Sequence, residues 1–361
     1  MMRCFTFDLR ATLGAGWRVL CCALLATASF AVSTAALASA PASASASAST
    51  PAKLPKLTLS GPFAAVSFPL IHMVDSGALK EVAETVEFIP WKDPDQLRVL
   101  ALDAKQPADF VAMPSNVAAN LYNRGVSLKL INISTWGVLW LVSRDKNLKT
   151  LADFQGKEVL MPFRADMPDI VFQTLAAKAG LDPKKNFQLR YVGTPLDAMQ
   201  LLIARRADHA LLAEPAVSMA LRKTKSFPVS LIAPDLYRSV DLQQEWGRLL
   251  QREARIPQAG IVAMGKVLGN PALIERFQKA YAASLNWCEA KPNECGALVA
   301  KRIDLLTPEA VADSVRIDNT AFVRAADAEA ELDYFFKLLH ARQPGLIGGK
   351  LPDAGFYYRK H

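Results

Sequence analysis

The stretch ADFVAMPSNVAANLYNRG (108–125) returns in altered form as ADHALLAEPAVSMALRK (207–223). Each copy starts with a short apolar run, turns at a proline and continues as an amphipathic helix. A short apolar run bounded by polar residues reads as a buried strand, and apolar residues three and four apart read as one helix face. Two strand-turn-helix units, one in each half of the chain, predict two lobes of like design.

The same alternation extends outward from both copies. Before the first lie a strand at Leu57–Leu59, a helical stretch reaching Ala83, a strand at Val86–Ile89 and a helix at Asp95–Ala104. Ser115 or Asn116 is expected to cap the helix that ends at Gly125. Strands are expected at Leu128–Ile133, Gly137–Ser143, Lys157–Met161 and Phe187–Val192, with helices at Pro168–Ala179 and Pro195–Arg206. After the second copy come strands at Pro228–Ile232 and Pro257–Met264, and almost everything beyond Pro271 reads as helix. Strands alternating with helices indicate parallel sheets flanked by helices, so the fold class is α/β.

The N-terminus has a different composition. Arg3, Arg10 and Arg18 precede an apolar run from Val19 to Leu37, which ends in Ala36-Leu37-Ala38 followed by Ser39. A positive start, an apolar middle and small residues at the end form a secretory signal, expected over 1–38. A membrane anchor is the alternative, but Ser, Thr and Ala dilute the run and no basic cluster follows it. Residues 39–55 hold the ASASASAST tract and two prolines, a composition that cannot bury a core and reads as a tether. The folded body is expected from about Lys56.

The chain has 361 residues, 51% hydrophobic and 21% charged, which excludes collagen-like, coiled-coil and disordered classes and leaves room for two cores. Losing Arg3, Arg10, Arg18 and Asp8 with the signal lowers the net charge from +8 to about +6. No Lys/Arg stripe interleaved with aromatics is present, so nucleic acid is not an expected partner. Outside the signal only Cys288 and Cys295 remain, around a Pro292-Asn293 turn. In an oxidising compartment they are expected to form a disulfide, with free thiols as the alternative. The histidines (His72, His209, His340, His361) show no ligand spacing, so no metal or other cofactor is expected. No nucleophile-base motif, Walker A loop or dinucleotide fingerprint is visible, so the chain is not expected to be an enzyme.

Taken in order, five segments resemble the periplasmic substrate-binding proteins of ABC importers, in the nitrate/sulfonate/taurine and thiamine-pyrimidine (SsuA/THI5-like, NMT1-like) group. They are GPFAAVSFPLIHM (61–73), Val86–Leu102, the 108–125 unit, LADFQGKEV (151–159) and DAMQLLIARRADHALLAEP (197–215). The resemblance implies a bilobal type II binding-protein fold, two α/β lobes joined by a two-strand hinge. Lobe 1 would take 56–138 and 260–361, lobe 2 would take 139–259, and the hinge would lie near Trp136–Ser143 and Pro257–Met264. It also implies a monomer in the periplasm that captures a small polar molecule, sulfonate/nitrate-like or pyrimidine-like, in the cleft and hands it to a permease and ATPase complex. A ligand-sensing protein for a membrane sensor is the alternative, and a periplasmic enzyme on the same scaffold a more remote one.

The cleft of such a fold is built from loops at strand C-termini and the helix N-termini that follow them. Expected ligand-binding residues are therefore Gly61, Phe63, Ser67, Phe68 and His72 in the first loop and helix, and Pro114, Ser115 and Asn116 in the second. Trp136 stands at the first crossing, Arg164 and Asp166 at the helix start of the second lobe, Glu214 before Pro215, and Gln258 at the return crossing. Each has a structural alternative: core packing for the aromatics and His72, capping for Ser115, Asn116 and Asp166, and an Arg164–Asp166 pair. For Glu214 the alternative is a surface salt bridge facing the importer. Asp166 and Asp169 sit where a bound anion would rest, which favours a neutral or zwitterionic ligand with a hydrogen-bond donor or amine over a simple nitrate or sulfonate.

Overall fold

The computed structural model describes residues 53–92, 94–102, 108–232, 235–317 and 320–360. The expected signal and most of the tether lie outside these residues. The chain starts with β1 (Leu54–Pro62), a 3-10 turn at Ala65–Ser67 and α1 (Phe68–Asp75). Next come β2 (Ala83–Trp91), α2 (Pro94–Leu102), β3 (Phe110–Pro114), α3 (Ser115–Asn123) and β4 (Leu128–Thr135). It crosses into β5 (Leu139–Ser143), β6 (Glu158–Pro162), α4 (Met167–Lys178), β7 (Gln188–Val192), α5 (Pro195–Ile203) and β8 (His209–Ala213). Then follow α6 (Ala216–Lys225), α7 (Val229–Ile232), β9 (Tyr237–Asp241) and α8 (Leu242–Leu250). It returns through β10 (Ala259–Met264) and finishes with α9 (Pro271–Ala290), α10 (Pro292–Ala300), α11 (Pro308–Ile317), β11 (Thr320–Arg324) and α12 (Glu329–Arg342).

Two sheets result, of order β11-β4-β10-β3-β1-β2 and β7-β6-β8-β5-β9. In the first, β1 is parallel to β2 and β3, and β10 lies antiparallel between β3 and β4. In the second, β6 is parallel to β7 and β8, and β5 lies antiparallel between β8 and β9. Each sheet thus contains one antiparallel strand whose chain has just crossed from the other sheet. The central strands β3 and β10 are buried almost throughout, the apolar signature of strands covered on both faces.

The two crossings run side by side. Ile256 N donates to Trp136 O at 2.9 Å and Gln258 N to Thr135 O at 3.0 Å. Gln258 Oε1 accepts from Val138 N at 3.2 Å, and Gln243 Oε1 from Leu139 N at 3.1 Å. Gly137 sits between them with φ of 115°, and a Cβ there would lie 2.2 Å from Gln243 Cγ. A side chain would be excluded twice, by backbone conformation and by space.

One apolar cluster runs beneath both sheets, joining Trp136, Leu139, Met161, Phe172, Trp246 and Phe335. A second fills the space between the first sheet and α9, where Phe110 stacks on Phe277 with centroids 3.8 Å apart. Each such fully buried ring contributes roughly 2–3 kcal/mol of apolar transfer. α9 is well defined at its start: Asn270 Oδ1 accepts from Leu273 N at 3.0 Å and Pro271 occupies the first turn. Cys288 and Cys295 are joined in a disulfide that ties the end of α9 to α10.

Four local expectations change. The helix before Ala83 ends at Asp75, and turns fill the gap to β2. Ser115 and Asn116 do not cap α3; Pro114 precedes the helix, and Ser115 Oγ donates instead to Pro257 O at 2.6 Å. The expected strand at Pro228–Ile232 is instead a turn at Pro228 and the one-turn helix α7 (Val229–Ile232), because β9 takes the edge of the second sheet beside β5. The C-terminal third is not wholly helical: β11 pairs antiparallel with β4, as β-branched and aromatic residues in TAFVR favour. Among the described residues no helix is long and apolar enough to cross a membrane, and no group of His, Cys, Asp and Glu could hold a metal ion.

Candidate ligand site between the two sheets

The strand registers bring the first sheet's candidate loops to one edge. Leu59 and Ser60 pair with Phe110 and Val111, while Ala259 pairs with both Pro114 and Thr135. The ends of β1, β3 and β4 and the start of β10 are therefore neighbours. Gly61 lets the following loop fold back onto the strand end, since a Cβ there would stand 2.2 Å from Ser67 Oγ. Ser67, Asn116 and Thr135 are all buried along this edge. Ser67 Oγ, Asn116 Oδ1 and Thr135 Oγ1 each lack a hydrogen-bond partner among the described residues. Buried polar atoms are ordinarily paired, so three unpaired ones along this sheet edge make it a candidate for ligand contact.

The second sheet contributes the loop between β6 and α4. Phe163 and Ala165, on either side of Arg164, both have positive φ, 56° and 57°. Strained backbone of this kind is held by its surroundings. Here the brace is Asp169, whose Oδ2 accepts from Ala165 N at 2.8 Å and whose Oδ1 accepts from Gln173 Nε2 at 2.7 Å and Tyr191 Oη at 3.3 Å. Burial and the Asp169 carboxylate push the Tyr191 hydroxyl up to about 12. Asp166 is the N-cap of α4, accepting from Met167 N at 2.7 Å.

The two sides meet. Asn116 Nδ2, at the start of α3, donates to Asp166 Oδ1, at the start of α4, at 3.3 Å. Burial raises the Asp166 carboxyl above the usual carboxylate range, and the hydrogen bonds from Met167 and Asn116 partly offset that rise. Arg164 does not pair with Asp166. It is exposed and its guanidinium lies over the Tyr191 ring, 5.2 Å from the centroid.

The other candidates serve the framework. Trp136 is buried in the crossing, donates Nε1 to Ala321 O at 2.8 Å and carries Arg255 over its ring. Gln258 is used by the crossing itself. His72 stacks on Trp287 at 4.0 Å and shares a 2.9 Å hydrogen bond with Ser284, so it packs α1 on α9; burial lowers its pKa. Phe68 is buried in the cluster around the disulfide, and Phe63 packs partly against it. Glu214 is not a surface residue: it is fully buried, bonded to Arg238 at 2.5 Å and accepting from Ser218 N at 3.1 Å.

Arg238 was not legible as a partner for Glu214, because β9 lies 24 residues further along the chain. The same region holds a second bridge between elements of the two sheets. Arg222 on α6 donates to both carboxylate oxygens of Asp313 on α11, at 2.5 and 2.8 Å. A groove of about 400 Å³ opens beside it, lined by Ser218, Arg222, Lys225, Arg238 and Asp313. Two of its cations are already neutralised, by Glu214 and Asp313.

Comparison with known proteins places this architecture. Residues 128–295 match the NMT1/THI5 like family model. No curated protein sequence matches the chain. Among solved structures, an ABC transporter protein from Parabacteroides distasonis superposes with a TM-score of 0.69 at 23% identity, over 85% of this chain and 100% of that one. The periplasmic aliphatic sulphonate binding protein SsuA from Escherichia coli gives 0.62 at 16% identity, over 85% and 92%. The periplasmic nitrate-binding protein NrtA from Synechocystis PCC 6803 gives 0.62 at 14% identity, over 81% and 82%. Residues 128–295 are thus similar to the NMT1/THI5 like family, and the chain has the bilobal α/β fold seen in periplasmic solute-binding proteins.

Proposed function

We propose that this chain is the extracytoplasmic solute-binding component of an ABC importer. Residues 1–38 direct export and are removed, and 39–55 tether the body. Lobe 1 (56–138 with 260–361) and lobe 2 (139–259) close on a small polar molecule and deliver it unchanged to the permease and ATPase complex. The protein acts as a monomer in the periplasm. The observation that carries the reading is the Asn116–Asp166 hydrogen bond, which joins helix starts of the two sheets across the site. Paired antiparallel crossings leave the lobes free to swing about two adjacent strands, the hinge motion such folds use. The matched family model and the fold of the sulphonate and nitrate binders support the same reading.

Carriage without chemistry is supported by how the site's charges are spent. Glu214 is tied to Arg238, and Asp169 is held by three donors. Neither is poised as a base beside a nucleophile.

The test is photo-crosslinking in cells of the full chain, with the crosslinker placed at exposed positions of both lobes. Capture of an inner-membrane permease supports the proposal. Capture of a sensor kinase, with no permease, overturns it.

A further inference from the structure

The first turn of a helix is where a bound anion ordinarily rests, on free N–H groups at the positive end of the dipole. At α4 that seat is filled from within the chain. Asp166, the N-cap, accepts from Met167 N, and Asp169 stands in the first turn, so two carboxylates already occupy the positive end. A free oxyanion arriving there would meet like charge.

What the site lacks is the opposite chemistry. A carboxylate only accepts hydrogen bonds, so the Asn116 amide must turn its Nδ2 toward Asp166, which leaves Oδ1 as its free end. Asn116 Oδ1 and the Asp166 carboxylate are thus neighbouring acceptors. The described residues give Asp166 no salt bridge. Arg98, the cation that acts on it, is already bonded to Asp95 at 2.7 Å. Arg164 is turned onto Tyr191. The Ser67 and Thr135 hydroxyls, also unpaired, can accept or donate. A half-buried carboxylate with no cation in contact is costly, and a bound cation that also donates N–H bonds would relieve both shortages.

We propose that the site bounded by Asn116 and Asp166 takes a ligand carrying a protonated amine, or a like N–H-bearing cation, and rejects free oxyanions. This deepens the reading of the chain as a solute-binding protein and rests on it. Asp166 supplies the countercharge, Asn116 Oδ1 the second acceptor, and the hydroxyls of Ser67 and Thr135 complete the lobe-1 wall.

The experiment is a melting titration of the exported full chain with four probes at about 10 mM: ethanolamine, agmatine, isethionate and nitrate. A ligand that binds only the native state must raise Tm. The expected result is a rise of about 3 °C or more with ethanolamine or agmatine and none with isethionate or nitrate. In D166N that rise is lost, with at least tenfold weaker binding, while Tm without additive does not fall, because Asn caps a helix as well as Asp does and the desolvated charge is gone. A rise with isethionate or nitrate but with neither amine overturns the inference and leaves the solute-binding reading standing. An amine response that D166N retains also overturns it. No response to any of the four probes counts against the solute-binding reading itself.

Discussion

Asp166 and Asp169 stand one turn apart on the same helix start, yet they carry different loads. Asp169 holds a strained loop through three donors, one of them the backbone N–H of Ala165. D169A would leave half-buried donors unpaired, and we expect a loss of about 2 kcal/mol in urea unfolding. A loss below about 0.5 kcal/mol would show that the brace contributes nothing. Glu214 and Arg238 are the second residue-scale case. E214A strands a guanidinium that is only 20% exposed, and the expected loss is about 3 kcal/mol. E214Q keeps an acceptor for Ser218 N and should lose less. Equal losses in the two variants would contradict the account, because the acceptor for Ser218 N would then contribute nothing.

At the scale of elements, much was legible because the signal is local. The apolar runs FVAM and ALL, each between polar residues, read as buried strands and form them, and Asp166 before Met167-Pro168 reads as a helix start. What was not legible depended on partners distant in sequence. SNVAAN reads as a capped helix, but Ser115 finds Pro257 O, 142 residues away, and leaves the cap role empty. PVSLI reads as a strand, yet which segment takes the sheet edge was settled by β9 beside β5. Glu214 reads as an exposed acidic residue until Arg238 is brought beneath it. The aromatic and histidine candidates read equally as ligand contacts or core packing, because loop and core aromatics have the same composition; the packing contacts of Trp136, His72 and Phe68 are visible only in the structure. The disulfide is the element-scale prediction. It closes a short loop, with a sequence separation of 7, so removing it should lower stability by about 2 kcal/mol. Differential scanning calorimetry of the C288S/C295S double variant measures this, and an unchanged Tm would mean that the α9–α10 turn is fixed by packing alone.

At the scale of the whole molecule, the two sheets are joined by the paired crossings on one side and by Arg222–Asp313 on another. The Arg222 guanidinium holds the Asp313 carboxyl below the usual carboxylate range. A depressed folded value means that this contact is fully present above the unfolded carboxylate pKa, near pH 4, and is lost as pH falls through the lower folded value. D313N mimics the acid side at neutral pH. Small-angle scattering of D313N at pH 7 should therefore give a larger radius of gyration than the unaltered chain. Identical radii would show that the contact does not hold the lobes together. The excess positive charge of the sequence adds little here, since the cations lining the interlobe groove are mostly paired.

The central claim is that one small molecule is held between the lobes and leaves unaltered. Native mass spectrometry of the exported chain, purified without unfolding and incubated with periplasmic extract, tests it most directly. The account predicts a one-to-one complex whose added mass is that of a small amine-bearing molecule, released intact on unfolding. A spectrum showing only the bare chain after incubation, or release of a chemically altered product, would contradict it.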